Sequence, residues 1–259
     1  MISLGFIASI ALIAGASQLV TFETPSTTPS DLKSTEEETN ALETGGLRFT
    51  PRDLEPTEGE TGGTGARGTL RSGDSCVVPD ENIVLLAPPQ SPLATAMFPG
   101  FLAVLPPRSR PVDRGELRIM DDEGTLYRAR FLLPDNPGVV QLPMSEIPEL
   151  EPGVPYEWSV MILCDESDYG QNPIGVGYFY LAEPTPEVRA TLGDETCSEQ
   201  IDLCANDGIW YDPVAGLFEA RLANPDDETL AADWQSLLES VDLGDYASKP
   251  LVGSLELEE

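Results

Sequence analysis

The stretch Tyr156-Glu157-Trp158-Ser159-Val160-Met161-Ile162-Leu163-Cys164 decides the fold. Tyr156, Trp158, Val160, Ile162 and Cys164 share one side of a period-2 alternation, the pattern of a β-strand with one face in a core. Glu157 and Ser159 open the other side, but Met161 and Leu163 finish it. The far end is thus covered on both faces, and the strand is predicted to be central. Outward from it, short apolar runs recur between Pro and Gly punctuation: Ile83–Ala87, Phe101–Leu105, Glu116–Met120, Leu126–Leu133, Val139–Leu142 and Ile174–Leu181. Asp121-Asp122-Glu123-Gly124 reads as a hairpin loop with Gly at a positive-φ position. Such strands with no helix between them predict an antiparallel β-sandwich-like body over residues 67–184, an open barrel being the alternative. Prolines at 88, 89, 92, 99, 106, 107 and 111 would place the first two strands at sheet edges, because Pro cannot donate to a ladder.

Past Ala182 the period becomes helical. Thr185-Pro186-Glu187 combines an N-cap, a Pro at the first helical position and a first-turn acid, and Gly193 is the stop. Asp212-Pro213 repeats the start signal ahead of Val214, Leu217, Phe218 and Leu222. Asn224-Pro225-Asp226-Asp227-Glu228 opens another helix, whose Leu230, Trp234, Leu237, Leu238 and Val241 form one apolar stripe that ends by Gly244. These two are read as an antiparallel hairpin within a helical region, 185–251, packed on the body. Trp158, Trp210 and Trp234 are read as structural core. The fold class is α+β, an antiparallel β-sandwich-like body followed by a C-terminal helical hairpin, and residues 252–259 read as an acidic tail.

At the other end, Met1 to Ala16 carries no charged side chain, and its apolar run from Leu4 closes on Ala14-Gly15-Ala16, the pattern of a secretory signal peptide, 1–16. The run is short of the about 20 residues a membrane span needs, and no later segment is apolar enough to cross. Residues 17–66 are rich in Ser, Thr, Pro, Glu and Gly and read as a disordered acidic linker. The expected location is outside the cytoplasm: periplasm, outer surface or medium.

The chain has no histidine, and 45 acidic residues face 14 basic ones for a formal charge of -31. A Ser/His/Asp triad, a Cys/His dyad and a His-bearing zinc site are therefore excluded. A nucleic-acid partner is argued against, since phosphate affinity comes from clustered Lys and Arg. Only Lys33 and Lys249 are lysines. The acidity reads either as a hydrated surface for salty surroundings or as a sign of a polycation or divalent-ion partner.

Gly208-Ile209-Trp210-Tyr211-Asp212, then Leu217, Arg221-Leu222, Trp234-x-x-Leu237-Leu238 and Leu243 through Pro250-Leu251, resemble the closing segment of a cyanobacterial family catalogued as domain-of-unknown-function family 928. An Arg67-Gly68 approach to Cys76, and Tyr156-x-Trp158 before Cys164-Asp165, extend the resemblance over residues 67 to 251. It implies an exported protein with a β-rich body and a helical tail. It supplies no activity, so no catalytic residue and no cofactor carries over. Cys197, Cys204 and the extreme acidity depart from the family's usual pattern.

Four cysteines in an exported chain suggest disulfides, and no Cys-x-x-Cys offers a zinc site. Of the three connectivities, Cys76–Cys164 with Cys197–Cys204 is favoured. The second pair carries a condition: seven residues of unbroken helix separate Cα atoms by about 10.5 Å, beyond the roughly 4.4–6.8 Å of a disulfide. Either the helix is broken there or those thiols are free. Asp165, Glu166 and Asp168 are weak candidates for a metal, Ca2+, without the Asp-x-Asp-x-Asp-Gly register of a calcium loop. Asp121-Asp122-Glu123 and Asp226-Asp227-Glu228 read as loop solvation and first-turn acids. The expected function is a non-enzymatic interaction module of the cell envelope with an envelope protein or glycan as partner. The alternatives are a carboxylate-based hydrolase acting on glycans and a calcium-dependent adhesion module.

Overall fold

A computed structural model describes residues 46–52, 76–88, 93–96, 100–142, 144 and 148–258. The signal-peptide reading of 1–16 and most of the linker reading of 17–66 fall outside the described residues. The strands are β1 (Val84–Leu85), β2 (Leu93–Thr95), β3 (Phe101–Leu105), β4 (Arg114–Met120), β5 (Thr125–Leu132), β6 (Gly138–Leu142), β7 (Pro155–Ile162), β8 (Ile174–Leu181) and β9 (Leu251–Ser254). The helices are α1 (Pro186–Leu192), α2 (Ile201–Asn206), α3 (Tyr211–Ala223) and α4 (Glu228–Glu239). The strands form a four-stranded sheet, β1-β3-β6-β9, and a five-stranded sheet, β2-β8-β7-β4-β5. The fold is a mixed α+β one.

β7 is indeed internal, with β4 on one side and β8 on the other. Its Trp158 is fully buried, and Phe101 of the other sheet stacks on it at 4.1 Å between ring centroids, 12° from parallel. Gly177 lies across from Trp158 in β8. A Cβ there would sit 2.7 Å from the Trp158 indole nitrogen and 3.0 Å from Leu85 of β1, so the close approach at this point requires glycine. The Trp158 indole donates to the Tyr211 hydroxyl (3.0 Å), which donates to the Tyr178 carbonyl (3.0 Å), tying the start of α3 to β7 and β8.

Several expectations need correction. The sheets are not purely antiparallel, since β2 pairs parallel with β8 and β6 parallel with β9. β3, expected at an edge, lies between β1 and β6. The prolines flank 101–105 without entering it, so every ladder N–H of that strand is available. Residues 252–258, read as an acidic tail, are paired with both sheets. Beyond β9, the Leu132 N–H donates to the Glu256 carbonyl (3.1 Å) and the Glu258 N–H to the Arg130 carbonyl (2.8 Å). One short segment thus pairs with β6 of one sheet and then with β5 of the other. Its Leu255-Glu256-Leu257-Glu258 alternation is a strand pattern that its charge had hidden.

Residues 46–52, within the stretch read as a linker, also pack on the core. Leu47 and Phe49 are buried, and Phe49 meets Trp210 edge-on at 5.1 Å. The Thr50 N–H donates to the Ala205 carbonyl (3.1 Å), and Arg52 pairs with Asp207 at 2.8 Å.

α1 begins as its sequence dictates: the Thr185 hydroxyl accepts from the Val188 N–H, and Gly193 closes the helix at φ 59°. The hairpin of α3 and α4 is present, with Trp210, Leu217, Phe218, Trp234, Leu237 and Leu238 all buried in the main core. The Asp227 carboxylate caps α4 by accepting from the N–H groups of Thr229 and Leu230. Asp212 does not cap α3. It is fully buried and accepts from the Thr95 hydroxyl and the Ala96 N–H, both at 2.8 Å, fastening α3 to the end of β2. Leu222, expected in the apolar stripe, is exposed, and α4 stops at Glu239 ahead of Gly244.

Both disulfides are formed: Cys76–Cys164 and Cys197–Cys204, with Cα separations of 5.4 and 5.5 Å. The second satisfies its geometric condition because α2 starts only at Ile201 and the four residues before it form a turn.

Candidate functional site

Of the 14 basic residues, six lie between positions 108 and 130: Arg108, Arg110, Arg114, Arg118, Arg128 and Arg130. β4 and β5 form the hairpin that carries four of them. Gly124 at φ 145° turns it, with the Asp121 carboxylate accepting from the Glu123 and Gly124 N–H groups. Successive side chains of a strand point to opposite faces. Leu117, Ile119 and Phe131 therefore enter the core, while Arg114, Glu116 and Arg118 of β4 and Arg128 and Arg130 of β5 share the outer face. Register then sets Glu116 across from Arg130 and Arg118 across from Arg128.

Glu116 is the centre of this array. Its side chain is wholly buried, and its two carboxylate oxygens pair with Arg118 at 2.5 Å, Arg128 at 2.7 Å and Arg130 at 3.7 Å. Tyr169, in a 3-10 turn (Tyr169–Gln171), covers it from above. The Tyr169 hydroxyl accepts from Arg128 at 2.9 Å, and the guanidinia of Arg118 and Arg128 lie 5.2 and 5.8 Å from its ring centre. Burial pushes the Glu116 carboxyl up, but the hydrogen bonds and charge of Arg128 and Arg118 outweigh it, and the net shift is downward. The lowered value favours the ionised form, whereas a general acid needs a raised one. Its chemistry here is to hold guanidinia in place.

The loop read as a weak calcium candidate lies against the same face. Glu166 pairs with Arg114 and Arg130, both at 3.4 Å. Asp165 accepts from the hydroxyl and N–H of Ser167 (2.6 and 2.7 Å), and these bonds hold its carboxyl below the usual range. Asp168 accepts from the Gly170 N–H at 3.1 Å. The three acids are engaged separately, and among the described residues no three His, Cys, Asp or Glu side chains gather where a metal ion could be held. The Cys76–Cys164 bridge anchors the base of this loop, and Arg110 donates to the Cys164 carbonyl at 3.0 Å.

The four outer-face arginines keep between 26% and 48% of their side-chain surface in water. Each guanidinium carries five N–H donors, so donors remain for a ligand beyond those that face Glu116 and Glu166. Beside them lie the exposed apolar side chains of Leu126, Leu132 and Tyr178. The arrangement can receive anionic groups on a rigid sheet. The array was legible as Arg-x-Glu-x-Arg at 114–118 and Arg-x-Arg at 128–130 in a chain poor in basic residues. The sequence reading began its strand at Glu116 and passed over it, and nothing local announced Tyr169.

A separate trough of about 500 Å³ is lined by Asp80, Glu81, Pro106, Pro137, Tyr246 and Lys249, among others. Its two acids are successive residues of one turn and enter from one wall, whereas a glycosidase places its pair on either side of the scissile bond.

The chain belongs to the family described as Domain of Unknown Function (DUF928), whose model matches residues 62–251. The match takes in the arginine array and the hairpin of α3 and α4, while 46–52 and 252–258 lie outside it. No curated protein and no solved structure matches the chain.

Glu116 gives a measurable pH signature. Its folded value is depressed, so its stabilisation is present above the ordinary value of 4.5 and is lost as pH falls through the lower folded value. Acid also relieves the self-repulsion of a chain at -31, so the informative quantity is a difference. Glu116→Gln is expected to cost about 1–2 kcal/mol at pH 7. The gap between it and the unsubstituted chain should narrow as pH falls below 4.5 and through the lower folded value, as read by urea melts at stepped pH.

Proposed function

We propose that this protein is a non-enzymatic binding module acting outside the cytoplasm, in or around the cell envelope, and that its working surface is the arginine face of the five-stranded sheet. The observation that carries this reading is Glu116, buried and ionised, splaying Arg118, Arg128 and Arg130 across an exposed sheet face. Such an array recognises carboxylate or sulfate groups by charge-assisted, partly bidentate hydrogen bonds. Two disulfides fit an oxidising compartment. The stack of Phe101 on Trp158 supports a sandwich-like packing of the two sheets, which makes the face rigid. Calcium-dependent adhesion and carboxylate hydrolysis find less support, because the acids of 165–168 are separately engaged and the Glu116 carboxylate is wholly buried and taken up by Arg118 and Arg128.

Binding of polygalacturonate, dextran sulfate and uncharged dextran to the full chain tests the reading. The two polyanions are expected to bind and the neutral polymer not. Arg114→Gln combined with Arg128→Gln should weaken binding about tenfold or more, two lost charge-assisted contacts being sufficient for that. The charge of -31 repels a polyanion at long range, and the screening length is about 10 Å at 0.1 M salt. Affinity should therefore rise with the first additions of salt and fall only at higher concentrations. Binding left untouched by the double substitution would remove the arginine face from consideration.

A further inference from the structure

We infer that the outer edge of β5 is a strand-addition site for an extended, acidic segment of a partner protein. This rests on the reading of the arginine face as a binding surface and names its partner class. β5 is the last strand of its sheet and pairs along its length only with β4. Its other edge is half covered by the chain's own tail, through Leu132 to Glu256, Glu258 to Arg130 and an antiparallel bridge of Phe131 with Leu257. The tail adds a side-chain contact: the Glu258 carboxylate accepts from the Arg114 guanidinium at 3.0 Å.

Edge-facing backbone groups recur at every second residue of an antiparallel strand. After Leu132 and Arg130 comes Arg128, and no described residue pairs with it across this edge; beyond it a register shift opposite Ile119 and Met120 interrupts the alternation at Leu126. Both side chains are well exposed, Leu126 at 39% and Arg128 at 48%. A segment continuing the line of the tail would complete this ladder, a recognised mode of peptide capture.

The tail also shows which chemistry fits. Leu257 lies across from Phe131 on the core side, so its neighbours Glu256 and Glu258 fall on the arginine side. In the same register the next arginine-side position lies across from Arg128, with Arg118 one strand further in. A carboxylate there meets guanidinium, and the core-side positions take apolar side chains. Charged edge strands ordinarily discourage pairing. Here the charges are arginines, which reject a basic strand and reject a second β5 edge to edge, since arginine would face arginine.

The test uses the full chain and a fluorescent peptide of about six residues alternating Glu and Val. Three comparisons accompany it: the same peptide N-methylated on alternate amides, the same peptide with Gln for Glu, and the protein with Arg128→Glu. Each is expected to weaken binding about tenfold or more relative to the parent pair. The N-methylated peptide leaves the protein untouched, so a folding defect in the variant cannot imitate the result. Equal affinity for the N-methylated peptide would overturn strand addition and leave the arginine face standing. Equal affinity for the Arg128→Glu protein would overturn both. A parent peptide that fails to bind while polygalacturonate still does would overturn strand addition alone. So would concentration-dependent self-association, seen in sedimentation, that the peptide does not disperse, because a second copy would then occupy the edge.

Discussion

Trp158→Ala is expected to destabilise the protein by about 3–5 kcal/mol, the range for removing a buried tryptophan. The substitution strikes where β7, β3 of the other sheet and the head of α3 meet. Trp158 is fully buried on the central strand, stacks on Phe101 of the other sheet and donates to Tyr211 at the head of α3. Its removal opens a cavity and leaves the buried Tyr211 hydroxyl without its donor. Gly177 beside it cannot fill the gap, having no side chain to move in. Chemical denaturation should show the loss as one cooperative transition for sheets and helices together. A helical signal that survived after the β signal had melted would show that the hairpin of α3 and α4 stands apart from the body.

Loss of the Cys76–Cys164 bridge, by Cys76→Ser with Cys164→Ser, is the second large effect. The bridge spans a sequence separation of 88 residues, for which the chain-entropy account gives about 4–5 kcal/mol before strain. It ties the residues ahead of β1 to those just after β7, where the 165–169 loop begins. The double variant should therefore melt lower and also bind polyanions more weakly, because Glu166 and Tyr169 are positioned by that loop. Removing Cys197–Cys204 constrains far less chain, a separation of 7, and is expected to leave polyanion binding unchanged.

How much of this could be read beforehand depended on how local each signal was. β3 and β8 were read with the bounds they have, and α1 was read from its caps, because alternation and capping act within a few residues. β2 has three residues and β9 four, too few to show a period, and both are held by parallel neighbours distant in sequence. The tail and residues 46–52 were misread for one reason. Their acidic or polar composition dominates a window, while a few apolar residues, Leu47 and Phe49 or Leu255 and Leu257, decide where they dock. Asp212-Pro213 carries a helix-start signature, yet the carboxylate serves β2 instead, since a buried acid goes to whichever N–H groups the tertiary fold presents. The candidate site was half legible. Its arginine spacing was visible, but Tyr169 and Glu166 reach it only through the disulfide-anchored loop.

The most direct test of the central claim is hydrogen–deuterium exchange of the full chain with and without saturating polyglutamate. Protection is predicted in the β4–β5 hairpin, residues 114–132, and in the loop at 165–170, with the far trough beside Asp80 and Tyr246 unchanged. Protection confined to that trough, or none at the hairpin while polyglutamate is bound, would contradict the assignment of the arginine face as the binding surface.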